Sequence, residues 1–383
     1  MVQLRPSVAI AGQAVLLMSL AAGATAVHLG HAQAQPPTTT KPVAPAAPAA
    51  TAVSAAVPRC DRSQLRGRTA RYEGGSVSAT YDKVFRPWAW VPFLKTHVPQ
   101  ALTTWRNWDG VGHNLVLLGM YRRGHHSLLV GFDPASGRPT GTVEINQSHL
   151  GGMGFVGRWL FAQDNADADS HATVRRYRID QLRAAMRKAT HGGNDRPFLR
   201  MDGKPRRIDA IDFFAEEGNS VYAGNHGSER TARMYRYTLS ADGHLQRAEG
   251  PWRIPPRAQG LVITPRLFIF STSHGTGRGR LELVRRGTPS AAARPFACVW
   301  IPAMPEDMTV VGRNVLIDFE SGTAQYAPLH PSNRIKHFHA GGLDALLTMT
   351  HGQDPTPPRP APGLLPPIGP VGAPPRPAAA ARP

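Results

Sequence analysis

Apolar residues in this chain come in short runs of Val, Ile, Leu and Phe separated by Pro, Gly and Arg, most plainly from Gln259 to Arg286. That stretch reads as three strands, Gly260 to Thr264, Leu267 to Ser273 and Arg280 to Val284, joined by a Pro-Arg turn and the glycine-rich sequence HGTGRG. One antiparallel meander cannot bury both its faces, so copies of the unit are expected elsewhere. Four further units follow the same pattern, and their second strands align Leu115, Leu160, Val221, Leu267 and Val315. The intervals are about 45, 61, 46 and 48 residues, close to the roughly 40–50 of a four-stranded propeller blade.

The long interval contains IDQLRAAMRKATHGG, in which Ile179, Leu182, Ala185 and Met186 recur at helical spacing before a Gly-Gly stop. A short helix is also expected in GGLDALLTMTHG near the end of the repeats. The pattern therefore predicts an all-β fold, a five-bladed β-propeller with one inserted helix and a short C-terminal helix. Six blades result if residues 61–104 supply strands of their own. In that region SVSATYDKVF reads as a strand, and PWAWVPFLKTHVP is too rich in proline for a regular element. A β-sandwich is the competing architecture, but it does not require a recurring unit of this length.

Composition changes towards both ends. Residues 1–34 carry one early positive charge at Arg5, an apolar run over Val15 to Leu20 and two A-x-A sites, which predicts a secretory signal peptide, with a retained N-terminal anchor as the alternative. Residues 35–58 read as a Pro/Ala/Thr-rich linker, 59–352 as the propeller domain, and 353–383 as a Pro-rich tail without a core. The expected location is secreted or cell-wall associated, with no membrane span after signal cleavage, and the domain is expected to be a monomer. Cys60 and Cys298, exported to an oxidising compartment, are expected to form one disulfide. Closing a loop of that length is worth about 4–5 kcal/mol in the loop-entropy treatment.

The net charge of +18 is largely arginine and favours polyanionic partners, such as an anionic cell-wall polymer or carbohydrate. No helix-turn-helix, zinc finger or aromatic-basic sheet pattern is present, which argues against specific nucleic-acid readout. HGTGRG lacks the Gly-Lys-Ser/Thr ending and the following helix of a phosphate loop, so it reads as a hairpin tip. H-E-x-x-H and G-x-S-x-G are absent. The close pairs His125-His126 and His337/His339 are metal candidates whose simpler reading is a solvated or packed imidazole.

In a propeller the first strand of each blade lines the channel, so polar residues just before those strands are candidates for a ligand-binding mouth. They are Asp109 or His113, His149, Asp209, Gln259, Glu306 and Asp307. Such a ring could orient a sugar or lactone, or hold a hard cation such as calcium through oxygen ligands. No cofactor is otherwise implied.

Trp108-Asp109-Gly110, the Phe132-Asp133-Pro134 and Gly137 turn, Ser148 to Gly152, Gln259-Gly260, Ser271-Thr272-Ser273, Cys298 and Phe319-Glu320-Ser321 together resemble a family pattern. The chain is similar to the secreted β-propeller proteins of high-GC actinobacteria and, more distantly, to the seven-bladed repeat proteins of the YVTN and WD40-like group. The resemblance covers most of residues 100–345 and implies a propeller without implying an activity. The leading expectation is a propeller that binds a ligand or partner without catalysis. The alternatives are a metal-assisted hydrolase or lactonase, with Asp109, Asp209 and Glu306 around a divalent ion, and a basic adhesin for anionic wall polymers.

Overall fold

The computed structural model describes Cys60 and residues 72–164, 172–189, 195–287 and 295–350. The signal peptide, linker and tail expectations lie outside the described residues. Five antiparallel sheets form the blades. In chain order, their innermost strands are Val98–Trp105, Met153–Val156, Phe213–Glu217, Ala258–Ile263 and Pro305–Val311, and these touch one another cyclically around a central channel. The first sheet gains a short fifth strand, Phe198–Leu199, paired parallel to Pro139–Ile145. The expected five-bladed propeller is therefore the observed fold.

All five aligned residues fall in the second strands, which are Leu115–Tyr121, Trp159–Gln163, Ser220–Gly224, Leu267–Thr272 and Asn314–Phe319. These strands read as continuous apolar runs because alternate side chains face opposite neighbouring blades. Leu115 and Leu117 pack towards blade 2, whereas Val116 and Leu118 pack towards blade 5. Five apolar clusters result, one between each pair of adjacent blades, and they close the circle.

Residues 72–105 depart from expectation in three ways. Ser78 caps a short helix, α1 (Ala79–Val84), by accepting from the Tyr81 backbone N–H at 3.2 Å, so SVSATYDKVF begins a helix where a strand was expected. Phe85–Trp90 then forms the outermost strand of blade 5, paired antiparallel with His337–Gly342, so the two ends of the domain join in one blade. Val98–Trp105 is the inner strand of blade 1. Both strands contain proline, Pro87 and Pro99, and both are sheet edges, where a missing N–H need not break a ladder bond. Among the described residues, 72–104 thus complete the five blades without adding a sixth.

The inserted helix, α2 (Ile179–Lys188), buries Leu182 and Met186 against blade 1. Burial of each is worth about 1.5–3 kcal/mol. A Cβ on Gly141 would lie 3.0 Å from the Met186 carbonyl oxygen, so this strand approaches the helix only because residue 141 has no side chain. The terminal helix, α3 (Leu343–Thr350), packs Leu346 against blades 4 and 5. Cys60 is joined to Cys298 in the outermost strand of blade 4, with Cα atoms 5.2 Å apart. HGTGRG is the tip between the paired strands Leu267–Thr272 and Arg278–Arg285, as its composition suggests.

Candidate functional site

The inner strands begin at one end of the channel, and there the residues expected at the mouth divide. Gln259 Nε2 donates to Glu306 Oε1 at 2.7 Å, and the Glu306 and Glu320 carboxyls share a hydrogen bond. Gln100 and the Tyr326 hydroxyl, the latter at 3.2 Å, both donate to Glu320. Asp307 accepts from the Leu102 and Met308 N–H groups at 2.9 and 2.8 Å, and its own N–H donates to Asp318 Oδ1 at 2.7 Å. His149 is exposed on the rim of this end, its ring 5.2 Å from Tyr121 and beside Gln163 and Asp212.

Asp209, Asp109 and His113 lie elsewhere. Asp209 takes the Tyr237 hydroxyl at 3.0 Å and Arg247 at 3.3 Å, both from the outer strands of blade 3. Asp212, three residues on, is the blade 3 carboxylate at the mouth, where it accepts from the His226 N–H at 2.7 Å. Asp109 and His113 pair with each other at 2.5 Å in an exposed loop that follows the inner strand of blade 1. Reading blade 1 from Trp105 omits that inner strand, whose residue at the mouth is Gln100. Asp109, Asp209 and Glu306 therefore occupy three separate places. Among the described residues no group of three or more His, Cys, Asp or Glu is arranged to hold a metal ion. Of the histidine pairs, His339 is buried against the Tyr81 hydroxyl at 2.6 Å, His337 stacks on Trp90, and His126 meets Glu144 at 3.1 Å.

Glu306, Asp307, Asp318 and Glu320 are all under 9% exposed, and none is ion-paired with a lysine or arginine among the described residues. Loss of hydration disfavours the charged form, and neighbouring carboxyls add to the effect. Burial, followed by the Glu320 and Asp318 charges, holds Glu306 well above the usual carboxyl range, and burial does the same for Asp307. Burial pushes Asp318 up to about 8. Glu320 is also raised by burial, against the hydrogen bonds from Gln100 and Tyr326. At this end, closed off by buried side chains, burial shifts the carboxyls towards their protonated forms. The turn Glu320–Gly322 packs against the inner strands of blades 5 and 1.

Where the inner strands finish, the channel opens into a cavity of about 780 Å³. Its wall is made by strand ends, including Thr104, Phe155, Glu216 and Thr309, and four arginines line it: Arg106, Arg158, Arg178 and Arg183. Three acidic residues also line it, but two are neutralised. Arg178 forks onto Asp180 at 2.8 and 3.1 Å, and Arg286 forks onto Glu217 at 2.5 and 2.8 Å. Arg106, Arg158 and Arg183 form no ion pair among the described residues, although the Arg106 charge acts on Glu216. Arg158 lies over Trp159 at 5.6 Å, and Arg183 donates to the Trp108 carbonyl and lies over Trp105 at 5.7 Å.

Glu216 remains as the cavity's own carboxyl. Its Oε1 accepts from the Phe155 N–H at 2.8 Å and from Thr103, while burial raises its proton affinity. Sequence reasoning missed this site because its arginines come from three different segments: Arg106 directly after the inner strand of blade 1, Arg158 in the turn after the inner strand of blade 2, and Arg183 on α2.

No protein-family model matches the chain, and no curated protein matches it in sequence. Among solved structures it is similar to Sqt1 from Chaetomium thermophilum, at 11% identity over 62% of this chain and 69% of that one, with a TM-score of 0.32. It is also similar to the computationally designed Ika8 protein, at 9% identity over 62% and 72% of the two chains, TM-score 0.27. For hydrazine synthase of Kuenenia stuttgartiensis the values are 14%, 58% and 56%, with a TM-score of 0.30, so little more than half of that chain is spanned. Likeness at this level assigns no function.

Proposed function

We propose that this chain is a secreted binding propeller that holds an anionic ligand in the cavity at the open end of its channel. One observation carries the reading. Three guanidinium groups, Arg106, Arg158 and Arg183, line a concave site and form no ion pair among the described residues, with Glu216 the one carboxyl that acts on Arg106, an arrangement suited to carboxylate or phosphate oxygens. The cavity volume falls in the range of small-molecule sites. The chain's net charge of +18 draws anions towards it, an effect that salt weakens.

The test is calorimetric titration of the purified chain with citrate and with inorganic pyrophosphate at two salt concentrations. Arg106→Ala with Arg158→Ala should weaken binding at least ~10-fold, since a charge-assisted hydrogen bond is worth about 1.5–3 kcal/mol. Both residues are exposed, so the melting temperature should hardly change. Equal affinity in the parent and the double variant would reject the reading.

A further inference from the structure

We propose that the cavity is shaped for a sugar acid, a pyranose ring bearing a carboxylate, and that Glu216 is the residue that reads its hydroxyl groups. The inference rests on the anion-binding reading and narrows it to a ligand class. A cavity meant only for a simple anion would gain nothing from a carboxyl in its wall. Glu216 is held there firmly, because its Oε1 takes both the Phe155 N–H at 2.8 Å and the Thr103 hydroxyl. No other described residue donates a hydrogen bond to its Oε2, although Glu216 lines the cavity and the Arg106 charge acts on it. An acceptor placed in this way calls for a donor on the ligand.

Two further features of the wall agree. The Thr104 and Thr309 hydroxyls lie 3.0 Å apart, and Thr104 also donates to the Val310 carbonyl at 3.0 Å, so this side of the cavity offers hydroxyl groups already held in place. The half-buried Phe155 ring lines the cavity and is backed by Trp105, their rings stacked with centroids 5.2 Å apart and planes 25° apart. That makes a rigid apolar platform beside polar groups. A uronic acid presents the complementary set: a carboxylate for Arg106 and Arg158, ring hydroxyls for Glu216 and Thr309, and a C–H face for Phe155. Inorganic phosphate has no apolar face, and a neutral sugar has nothing for the arginines.

Glu216→Gln separates the two roles. The amide oxygen can keep the Phe155 and Thr103 bonds, while the acceptor facing the cavity becomes a donor and the negative charge is lost. Calorimetric titrations would use tetragalacturonate, cellotetraose and citrate against the parent chain, Glu216→Gln and the Arg106→Ala, Arg158→Ala double variant, with unliganded melting curves as the folding control. Tetragalacturonate should bind at least ~10-fold more tightly than cellotetraose or citrate, the worth of one charge-assisted hydrogen bond. Glu216→Gln should weaken tetragalacturonate and leave citrate unchanged or tighter, because a like charge has been removed.

Three results would overturn the inference while leaving the anion reading standing: cellotetraose binding as well as tetragalacturonate, citrate binding as well as tetragalacturonate, or Glu216→Gln without effect on tetragalacturonate, each with arginine-dependent citrate binding retained. Absence of arginine-dependent binding by any probe would remove both readings.

Discussion

At one end of the channel four carboxyls are buried with amides and a phenol around them, and at the other three guanidiniums that form no ion pair among the described residues line an open cavity. Both ends are built from the same five inner strands. The difference lies in how each satisfies its charges. The closed end buries its carboxyls, which favours their protonated forms. Each accepts at least one hydrogen bond from the protein's own groups, although Asp318 Oδ2 and Gln100 Oε1 have no partner among the described residues. The open end leaves three guanidiniums outside any ion pair among the described residues, with Glu216 the one carboxyl in its wall that acts on Arg106.

The largest effect that should separate the two ends is the response of stability to pH. The folded state holds protons on Glu306, Asp307 and Asp318 more tightly than the unfolded chain does. Their stabilising contribution is full below the ordinary carboxyl range and is lost as pH rises through the folded-state value, about 8 for Asp318. Buried histidines act in the opposite sense at lower pH. Burial lowers His97 and His337 to about 4 and His339 further, so stability falls as acid charges them. The clean window lies above the ordinary histidine range. From about pH 6.5 to 8.5, Asp318 alone should cost about 2 kcal/mol, or roughly 4–8 °C in melting temperature for a domain of this size. Asp318→Asn should make that slope shallower without removing it, because Glu306, Asp307 and Glu320 are also raised by burial, and the Arg106→Ala, Arg158→Ala pair should leave it unchanged. A parent melting temperature that is level across this window would contradict the protonated closed end.

A steric change at the closed end ranks next. A Cβ on Gly260 would meet Asp307 Cα at 2.7 Å and the Glu306 carbonyl oxygen at 2.9 Å, both backbone atoms that cannot swing away. Gly260→Ala should therefore destabilise by about 1–3 kcal/mol, measured by denaturant midpoint, and should leave arginine-dependent anion binding in the refolded domain within error. The smallest effect belongs to the exposed pair. Asp109→Asn or His113→Ala should shift stability by no more than about 0.5 kcal/mol and should not alter the pH slope. A larger loss would mean that this loop supports an end of the channel.

Much of the scaffold is legible in the chain. Leu115, Leu160, Val221, Leu267 and Val315 mark second strands because alternating burial between two neighbouring blades makes those runs apolar throughout, and Leu182 and Met186 mark the inserted helix by their spacing. The paired Cys60 and Cys298 follow from there being only two cysteines in the chain. Val98–Trp105 was obscured because Pro99 argues against a strand unless its edge position is known, and that omission moves the blade 1 mouth residue from Gln100 to Asp109 or His113. Asp209 and Asp212 cannot be told apart by spacing, since both precede the inner strand of blade 3 and only packing sends one to Tyr237 and the other to the channel.

By itself the sequence determined the repeat and the inserted helix, because strand and helix periodicities are local consequences of which side chains must be buried. Five blades rather than six was decided by where Phe85–Trp90 and Val98–Trp105 pair. Tertiary structure alone decided which charges meet. Glu306 finds Glu320 across a hairpin, Glu216 takes a donor from each of two other blades, and Arg106, Arg158 and Arg183 come to one cavity from distant segments. Coulomb and hydrogen-bond energies depend on distances of a few ångströms between residues far apart in the chain, and local periodicity does not encode such distances.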